Sequence, residues 1–321
     1  MREYTITKEE NNVRLDKFVK KVLSEAPLSV IYKLFRKKDI KVNGKPANDK
    51  TPLKEGDIVR IYLVEDKFVD FEKKKEIKIN SYRFKTIYED DNIIVVSKPI
   101  GMIVHDAEDP KEHTLTDEVV SYLIMTRKYN PSTNSFTPAP AHRLDRNTSG
   151  LVIYGKNMET LQTLNEMFKN RTNISKKYLA LVCGEVTKEG KVDLPLSKDS
   201  KENTVKVDRK NGKTALTLYK PICTNGKYSL VELELMTGRT HQIRVHMSAI
   251  GYPLIGDKKY GNFKENSLFE KEFDWKFQFL HAYSLKFYGL EGKLEYLNNM
   301  CIVDEFDDKK QKIKEELFKR S

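Results

Sequence analysis

The amino-acid pattern predicts a chain of mixed helices and strands in two parts. Three observations carry this. The 321 residues are too many for one small domain. Within the first 65, apolar residues recur at helical spacing and then in alternation, with turn residues between. After Tyr82 the pattern changes to many short β-type segments with a few helices. The apolar fraction of 39% suffices for a core and excludes global disorder.

Leu15, Phe18, Val19, Val22 and Leu23 recur at helical spacing, and Pro27 ends that run. Ser29 is placed to cap a second helix carrying Ile31, Leu34 and Phe35. Asn43-Gly44, between Ile40/Val42 and Pro46, is a tight-turn signal. Glu55-Gly56-Asp57 then leads into Val59, Ile61 and Leu63 at alternating positions. Residues 66–80 are charged and weakly periodic, which reads as a linker. Strands are expected at 93–96, 151–154, 177–183, 214–220, 228–235 and 285–288, and helices at 115–127, 157–169 and 240–250. Pro131, Pro138 and Pro140 make 129–140 a loop. The charged stretch 301–321 reads as a C-terminal tail with a solvated helix. There is no internal repeat and no low-complexity tract.

Lys plus Arg number 58 against 47 Asp plus Glu, a net charge of +11. That balance leans toward nucleic acid or another anionic partner. Six of the bases (Lys33, Arg36, Lys37, Lys38, Lys41, Lys45) fall between residues 29 and 45 against one acid, Asp39. The longest apolar runs, such as Ile93–Val96, are far short of the ~20 residues of a membrane span. Met1-Arg2-Glu3-Tyr4-Thr5 has no apolar core of a signal peptide. Cys183, Cys223 and Cys301 are odd in number and widely spaced, against a disulfide scaffold or cysteine zinc site. A cytoplasmic protein is expected.

Four segments carry chemistry. In the first, His142-Arg143-Leu144-Asp145-Arg146-Asn147-Thr148-Ser149-Gly150 runs into the apolar Leu151–Tyr154. One carboxylate stands between two arginines, and flanking guanidinium charge keeps a carboxylate ionised. That suits a nucleophile or a charge stabiliser, although a solvated surface turn has the same pattern. In the second, a strand alternating Val231, Leu233 and Leu235 with Glu232 and Glu234 turns at Thr237-Gly238 into a helix stopping at Gly251. His241 and Arg244, three apart, share a face of it, and Ile243 and Met247 dock it. His241 and His246 are five apart, the wrong spacing for a zinc pair. The third, Lys176-Lys177-Tyr178 to Val182, is a strand. The fourth is the turn Tyr88–Asn92, the strand after it, and Ser97-Lys98-Pro99-Ile100-Gly101-Met102.

Together and in this order, DDNIIVVSKPIGMIVH, HRLDRNTSG, KKYLALV and TGRTHQIRVHM with YPLIGD resemble the RluA family of RNA pseudouridine synthases. The resemblance runs from about residue 84 to 290. The first 65 residues resemble the small RNA-binding domain named after ribosomal small-subunit protein S-four, through RLDKFV, KVNGKP and KEGDIV. It implies an α+β fold. Residues 81–300 would form a catalytic domain, with a mixed or antiparallel central sheet and an active-site cleft across it. Residues 1–65 would form a small N-terminal α+β RNA-binding domain. Asp145 matches the catalytic aspartate, Tyr178 the active-site tyrosine, and Arg244 the basic residue that pairs with the aspartate, Arg239 being the alternative. Leu254 or Ile255 matches the apolar contact under the base. Arg143 is placed to fill the stack that a flipped uridine leaves, and His241 joins the substrate contacts. The main departure is the long, Pro-rich 129–140, which bears on RNA target rather than chemistry.

Conversion of uridine to pseudouridine breaks the N1–C1′ bond, turns the uracil and joins C5 to C1′. There is no net redox change and no water is consumed, so no cofactor and no metal are expected. An ionised Asp145 would attack C1′ or C6, or stabilise charge on the sugar. Tyr178 would stack on the detached base and take the C5 proton, directly or through water. Phosphate contacts are expected from Lys33, Arg36, Lys37, Lys38 and Lys41, with a second group at Lys198, Lys201, Lys206, Arg209, Lys210 and Lys213. The expected partner is RNA, most simply large-subunit ribosomal RNA, bound by a monomer with no obligate protein partner. The alternatives are a non-catalytic RNA-binding or ribosome-assembly factor, and a metal-dependent RNA hydrolase built on His142, Asp145 and His241.

Overall fold

The computed structural model describes residues 1–7, 10–72, 81–105, 112–131, 136–199 and 204–319. The chain divides into two compact units. One comprises Met1–Tyr82, Val119–Pro138 and Lys156–Glu159, and the other Arg83–Glu118, Ala139–Gly155 and Thr160–Ser321.

In the first unit the elements are β1 (Arg2–Thr5), α1 (Leu15–Val22), α2 (Leu28–Arg36), β2 (Ile40–Val42), β3 (Lys45–Pro46), β4 (Ile58–Ile61) and α3 (Glu65–Glu72). The strands form an antiparallel sheet in the order β1-β4-β2-β3. The periodic residues do what their spacing demands: Leu15, Phe18, Val19, Ile31 and Leu34 pack with Val59 and Ile61 in one core. Pro27, in extended backbone, is the N-cap of α2, so Ser29 lies inside the first turn and makes no cap hydrogen bond. The linker expected at 66–80 opens instead as α3, whose Phe68 is fully buried in the same core. A single buried aromatic among charges gives no visible period. Residues 73–80 lie outside the described residues.

In the second unit follow β5 (Lys85–Glu89), β6 (Ile93–Lys98), α4 (Leu115–Met125, shared with the first unit), β7 (Ala139–Pro140), β8 (Ser149–Gly155), α5 (Met158–Asn170) and β9 (Ile174–Cys183). Then come β10 (Gly190–Asp193), β11 (Leu196–Asp199), β12 (Thr204–Val207), β13 (Leu216–Thr224), β14 (Tyr228–Leu235), α6 (Gln242–Ala249), α7 (Phe263–Phe273), β15 (Leu280–Phe287), a 3-10 turn at Gly292–Leu297, β16 (Cys301–Val303) and α8 (Asp308–Phe318). The central sheet runs β10-β13-β14-β9-β15-β8-β6-β5, with β16 on β15 and β7 on β8. Its β15–β8 pair is parallel and the others antiparallel, so the sheet is mixed. At that parallel pair Ala282 lies opposite Gly150, whose φ is +109°, and a Cβ there would stand 2.2 Å from the Ala282 carbonyl oxygen. Only glycine permits this approach.

One core packs Leu164, Met167 and Phe168 of α5 against Ile93 and Val95 of β6 and Leu151 and Ile153 of β8. A second joins Ile255, Phe269, Trp275 and Phe279 to Ile313. Ile313 belongs to α8, so the stretch expected as a charged tail is part of the fold. Cys301–Val303 pairs with β15, and α8 is capped by Asp307, which accepts from Lys310 N. In the loop expected at 129–140, Ala139–Pro140 pairs with the edge of β8, and 132–135 lie outside the described residues. β15 begins at Leu280 rather than 285 because nearly all its residues are buried and alternation is lost.

Candidate active site

A cavity of about 690 Å³ opens in the second unit. Asp145, Arg143, Tyr178, Arg244, His241 and Arg239, expected to share a site, all line it. They arrive on three elements: the loop before β8, strand β9, and the turn and helix after β14.

The Asp145 loop is fixed from below. Lys98, fully buried at the end of β6, donates to the carbonyls of Pro99, Met102 and Arg146 at 2.9, 2.8 and 2.9 Å. Three acceptors match the three N–H groups of an ammonium, so Lys98 keeps its charge although burial pulls its pKa to about 7. Gly101 N also donates to Arg146 O, and Thr148 N to Asp145 O, each at 3.0 Å. The arginines beside Asp145 in sequence line the cavity without pairing with it: Arg146 pairs with Glu112, and Arg143 is exposed. The guanidinium on Asp145 is that of Arg244, which donates Nη1–H to Oδ2 at 3.4 Å.

Arg244 is buried on α6 and held by a deeper carboxylate. It donates Nε–H and Nη2–H to Asp257 at 2.6 and 2.9 Å. Burial alone would raise the Asp257 pKa, but the Arg244 bonds and the backbone N–H groups of Lys259 and Tyr260 hold it below the usual carboxylate range. Arg244 also lies over the Tyr260 ring, 5.1 Å from its centroid. The Tyr260 hydroxyl accepts from Val205 N and donates to His241 Nδ1, both at 2.8 Å. That assigns the His241 proton to Nε2, which faces Asp145 Oδ2 at 3.9 Å. Burial lowers the His241 pKa despite Asp145, so the ring is neutral at pH 7. His241 itself has φ +53°, which starts α6 at Gln242 rather than 240. His246 points away, to Thr217 Oγ1 and the Leu194 carbonyl at 2.9 Å each.

Alternation on β9 puts Lys176 and Tyr178 on the cavity face and Lys177 on the other, where it pairs with Glu232 at 2.8 Å. Burial pushes the Tyr178 hydroxyl above its ordinary range, and the nearby Arg171 only partly opposes this. Lys176 Nζ lies 5.1 Å from the Tyr178 ring centroid and 2.9 Å from His142 Nδ1, and because Ile153 N–H donates to His142 Nε2 the proton of the neutral ring is on Nδ1 and is given to Nζ.

The apolar contact expected from Leu254 or Ile255 is not in the cavity wall. Leu254 bridges to Val182, and Ile255 sits in the core with Phe269 and Trp275, because the chain after Gly251 is drawn onto β9 by Ile255 N donating to Leu181 O. Leu280, Leu144 and Val104 supply the apolar wall instead. Arg239, the alternative partner for Asp145, donates Nε–H to the Thr214 carbonyl at 3.1 Å. Arg171 and Lys176 line the site without having been singled out. Strand period alone could have found Lys176, two residues before Tyr178. Nothing in the sequence marks Arg171, which sits in a left-handed turn at φ +58°.

The basic residues divide between the units. Lys33, Arg36, Lys37 and Lys38 are exposed on and after α2, and Lys41 lies over the Tyr62 ring. Lys33, Lys37 and Tyr62 border a groove of about 650 Å³ in the first unit. In the second unit Lys198, Lys206, Arg209, Lys210 and Lys213 are exposed, and Lys198 lines the catalytic cavity. Lys201 lies outside the described residues.

Residues 92–249 match the family model for RNA pseudouridylate synthase. An RNA pseudouridine synthase of Mycoplasma capricolum is 34% identical, over 94% of this chain and 97% of its own. The ribosomal large subunit pseudouridine synthase C of Buchnera aphidicola is 33% identical, over 91% of each chain. Among solved structures, human RNA pseudouridylate synthase domain containing 4 has the same fold, with a TM-score of 0.55 at 24% identity over 70% of this chain and 88% of its own. With Asp145, Tyr178 and Arg244 lining one cavity, and with relatives a third identical over most of its length, this chain belongs to the RluA family of RNA pseudouridine synthases, enzymes that isomerise uridine within RNA.

Proposed function

We propose that Asp145 is the group that acts on the target uridine, and that the RNA is ribosomal, from the large subunit. The observation that carries the first part is the Arg244–Asp145 pair at 3.4 Å on the wall of the cavity. A carboxylate about a third exposed beside a buried guanidinium is oriented and still open to a substrate. Its oxygen attacks C1′ or C6, or stabilises the sugar cation, as N1–C1′ breaks. Tyr178 stacks on the detached uracil while Leu280 closes the apolar side. Flipping the uridine out costs a few kcal/mol, and Arg143 at the cavity mouth fills the place it leaves. His241 Nε2–H, Arg239 and Lys198 contact sugar or phosphate. Residues 1–65, with the exposed bases on α2, bind RNA outside the target site.

Support for the ribosomal substrate comes from relatives named for the large ribosomal subunit, including synthase D of Borreliella burgdorferi at 34% identity over 81% of this chain. We place the enzyme in the cytoplasm as a monomer. Asp145→Asn keeps shape and removes charge. It should abolish isomerisation while RNA affinity stays within a few fold. Turnover by that variant removes Asp145 from the mechanism. Chemical mapping of pseudouridine in total RNA, with and without the gene, identifies the target, and unchanged large-subunit RNA overturns the assignment.

A further inference from the structure

Between α5 and β9 the chain makes a short turn in which Arg171 and Asn173 are both left-handed, at φ +58° and +64°. Asn173 suits that backbone and is pinned there, donating Nδ2–H to the carbonyls of Tyr288 and Gly289 at 3.1 and 2.6 Å. Arg171 does not suit it, since the residue just past a helix end in this conformation is usually glycine or asparagine. A side chain kept in strained backbone by its surroundings is a candidate for function. That of Arg171 lines the catalytic cavity, and its guanidinium lies against Gly238, where an added Cβ would overlap Nη2.

Among the described residues Arg171 has no hydrogen-bond or ion-pair partner. The charges that bear on it are those of Arg239, which opposes a second cation, and of the Tyr178 hydroxyl. Arg239 gives Nε–H to the Thr214 carbonyl, which leaves its Nη groups to the cavity that it also lines. Arginine keeps its charge even when half-buried. Two guanidinium groups close together without an acid are unfavourable until an anion joins them.

We propose that Arg171 and Arg239 form a subsite for one backbone phosphate of the RNA, beside the nucleotide that Asp145 acts on, with Gly238 leaving the room in which the Arg171 guanidinium lies. This rests on the reading of Asp145 given above. The two non-bridging oxygens of a phosphodiester match the paired N–H groups of a guanidinium. Arg171 and Asp145 both act on the Tyr178 hydroxyl, the first favouring its ionised form and the second opposing it. A nucleoside stacked on Tyr178 with its sugar at Asp145 therefore has a phosphate within reach of Arg171. Asp145 is paired with Arg244 and faces His241, so the phosphate has cations of its own. The detached uracil is the other anion of this reaction, but it is transient, whereas a phosphate is present from binding to release.

The test measures single-turnover isomerisation by the full chain against RNA concentration, on a short RNA carrying the mapped uridine. In two further RNAs a neutral methylphosphonate replaces the phosphate on the 5′ or the 3′ side of that uridine. On one of the two, the half-saturating concentration for wild type should rise by about 10-fold or more. Arg171→Met should show the same rise on the ordinary RNA, and the methylphosphonate should then cost it little more, because the contact is already gone. The log–log salt slope of its RNA binding should fall by about 0.7–0.9. Arg171→Lys keeps the charge without the fork and should lie between the two. Gly238→Ala keeps the charge but displaces it, and should repeat the Arg171→Met pattern on both RNAs; it carries the test should Arg171→Met fail to fold. Methylphosphonate and Arg171→Met penalties that add overturn the proposal. A lower saturated rate with an unchanged salt slope also overturns it, and assigns Arg171 to the detached uracil instead. Asp145→Asn run beside these variants separates the two readings. If it turns over, the Asp145 reading falls while the methylphosphonate comparison still reads Arg171; if it is inactive and the penalties add, only the phosphate subsite falls.

Discussion

Arg244 gives two N–H groups to Asp257, at 2.6 and 2.9 Å, and one to Asp145, at 3.4 Å. The deeper carboxylate fixes the guanidinium, and the shallower one is left open to the cavity. Asp257 is 1% exposed against 31% for Asp145. The arrangement divides one cation between structure and chemistry.

Asp257→Asn should therefore destabilise the enzyme by about 3–5 kcal/mol, because it leaves Arg244 buried without its counter-charge. Urea unfolding measures this. The folded Asp257 pKa is below its unfolded value, so its stabilisation is present above about pH 4 and fades as pH falls through the folded value. The variant should lack that acid-side loss. Equal stability of the two proteins at pH 7 rejects the bracing role.

Lys176 gives the opposite pH sign. Its folded pKa is about 7, whereas an unfolded lysine titrates near 10.4. Between those values the unfolded chain binds more protons, so stability rises with pH, by up to about 1.4 kcal/mol per unit. Wild type should gain stability relative to Lys176→Met from about pH 7 to 10. A flat difference across denaturation curves at three pH values contradicts a neutral buried amine.

Changing Lys33, Arg36, Lys37 and Lys38 together to Ala should weaken RNA binding and flatten its salt dependence. Four lost phosphate contacts reduce the log–log salt slope by about 3. Single-turnover rate at saturating RNA should be nearly unchanged, because these side chains lie outside the catalytic cavity. Titrations at several salt concentrations show the slope. No change in it would mean that the cluster is a solvated face.

EDTA should leave isomerisation of a short, unstructured RNA unaffected, since in the proposed mechanism Asp145, Arg244 and Tyr178 supply the charge and the stacking. Activity lost on chelation and restored by a divalent ion would bring back the metal-dependent reading.

Much of the site was legible because its residues sit in contiguous runs. His142 to Gly150 and Thr237 to Met247 each hold several of the cavity-lining side chains within one short run of chain, so spacing carried the information. What failed was long-range. Asp257 is 13 positions from Arg244, and nothing local to YPLIGD says that its aspartate braces a helix. Leu254 and Ile255 lie off the cavity wall, paired with Val182 and packed in the core, a placement that depends on which strand they meet. In the fold, strands with clean alternation or continuous burial, such as β6 and β14, were readable. The four-residue β10, β11 and β12 were not, being too short to show a period. α3 and α7 escaped for another reason, as did the docking of α8 onto the core through Ile313: each buries so few residues that its charges dominate the pattern.

The alternation on β9 has an evolutionary corollary. Lys176 and Tyr178 look into the cavity while Lys177, between them, looks away toward Glu232. One inserted or deleted residue in that strand would exchange the two faces. The basic surface on α2 would be untouched, and the chain's overall charge would hardly change. With the roles proposed above, such a descendant would still grip RNA and would modify nothing. In that reading a single peptide unit separates an RNA-modifying enzyme from an inert RNA binder, and the two would be hard to tell apart by affinity alone.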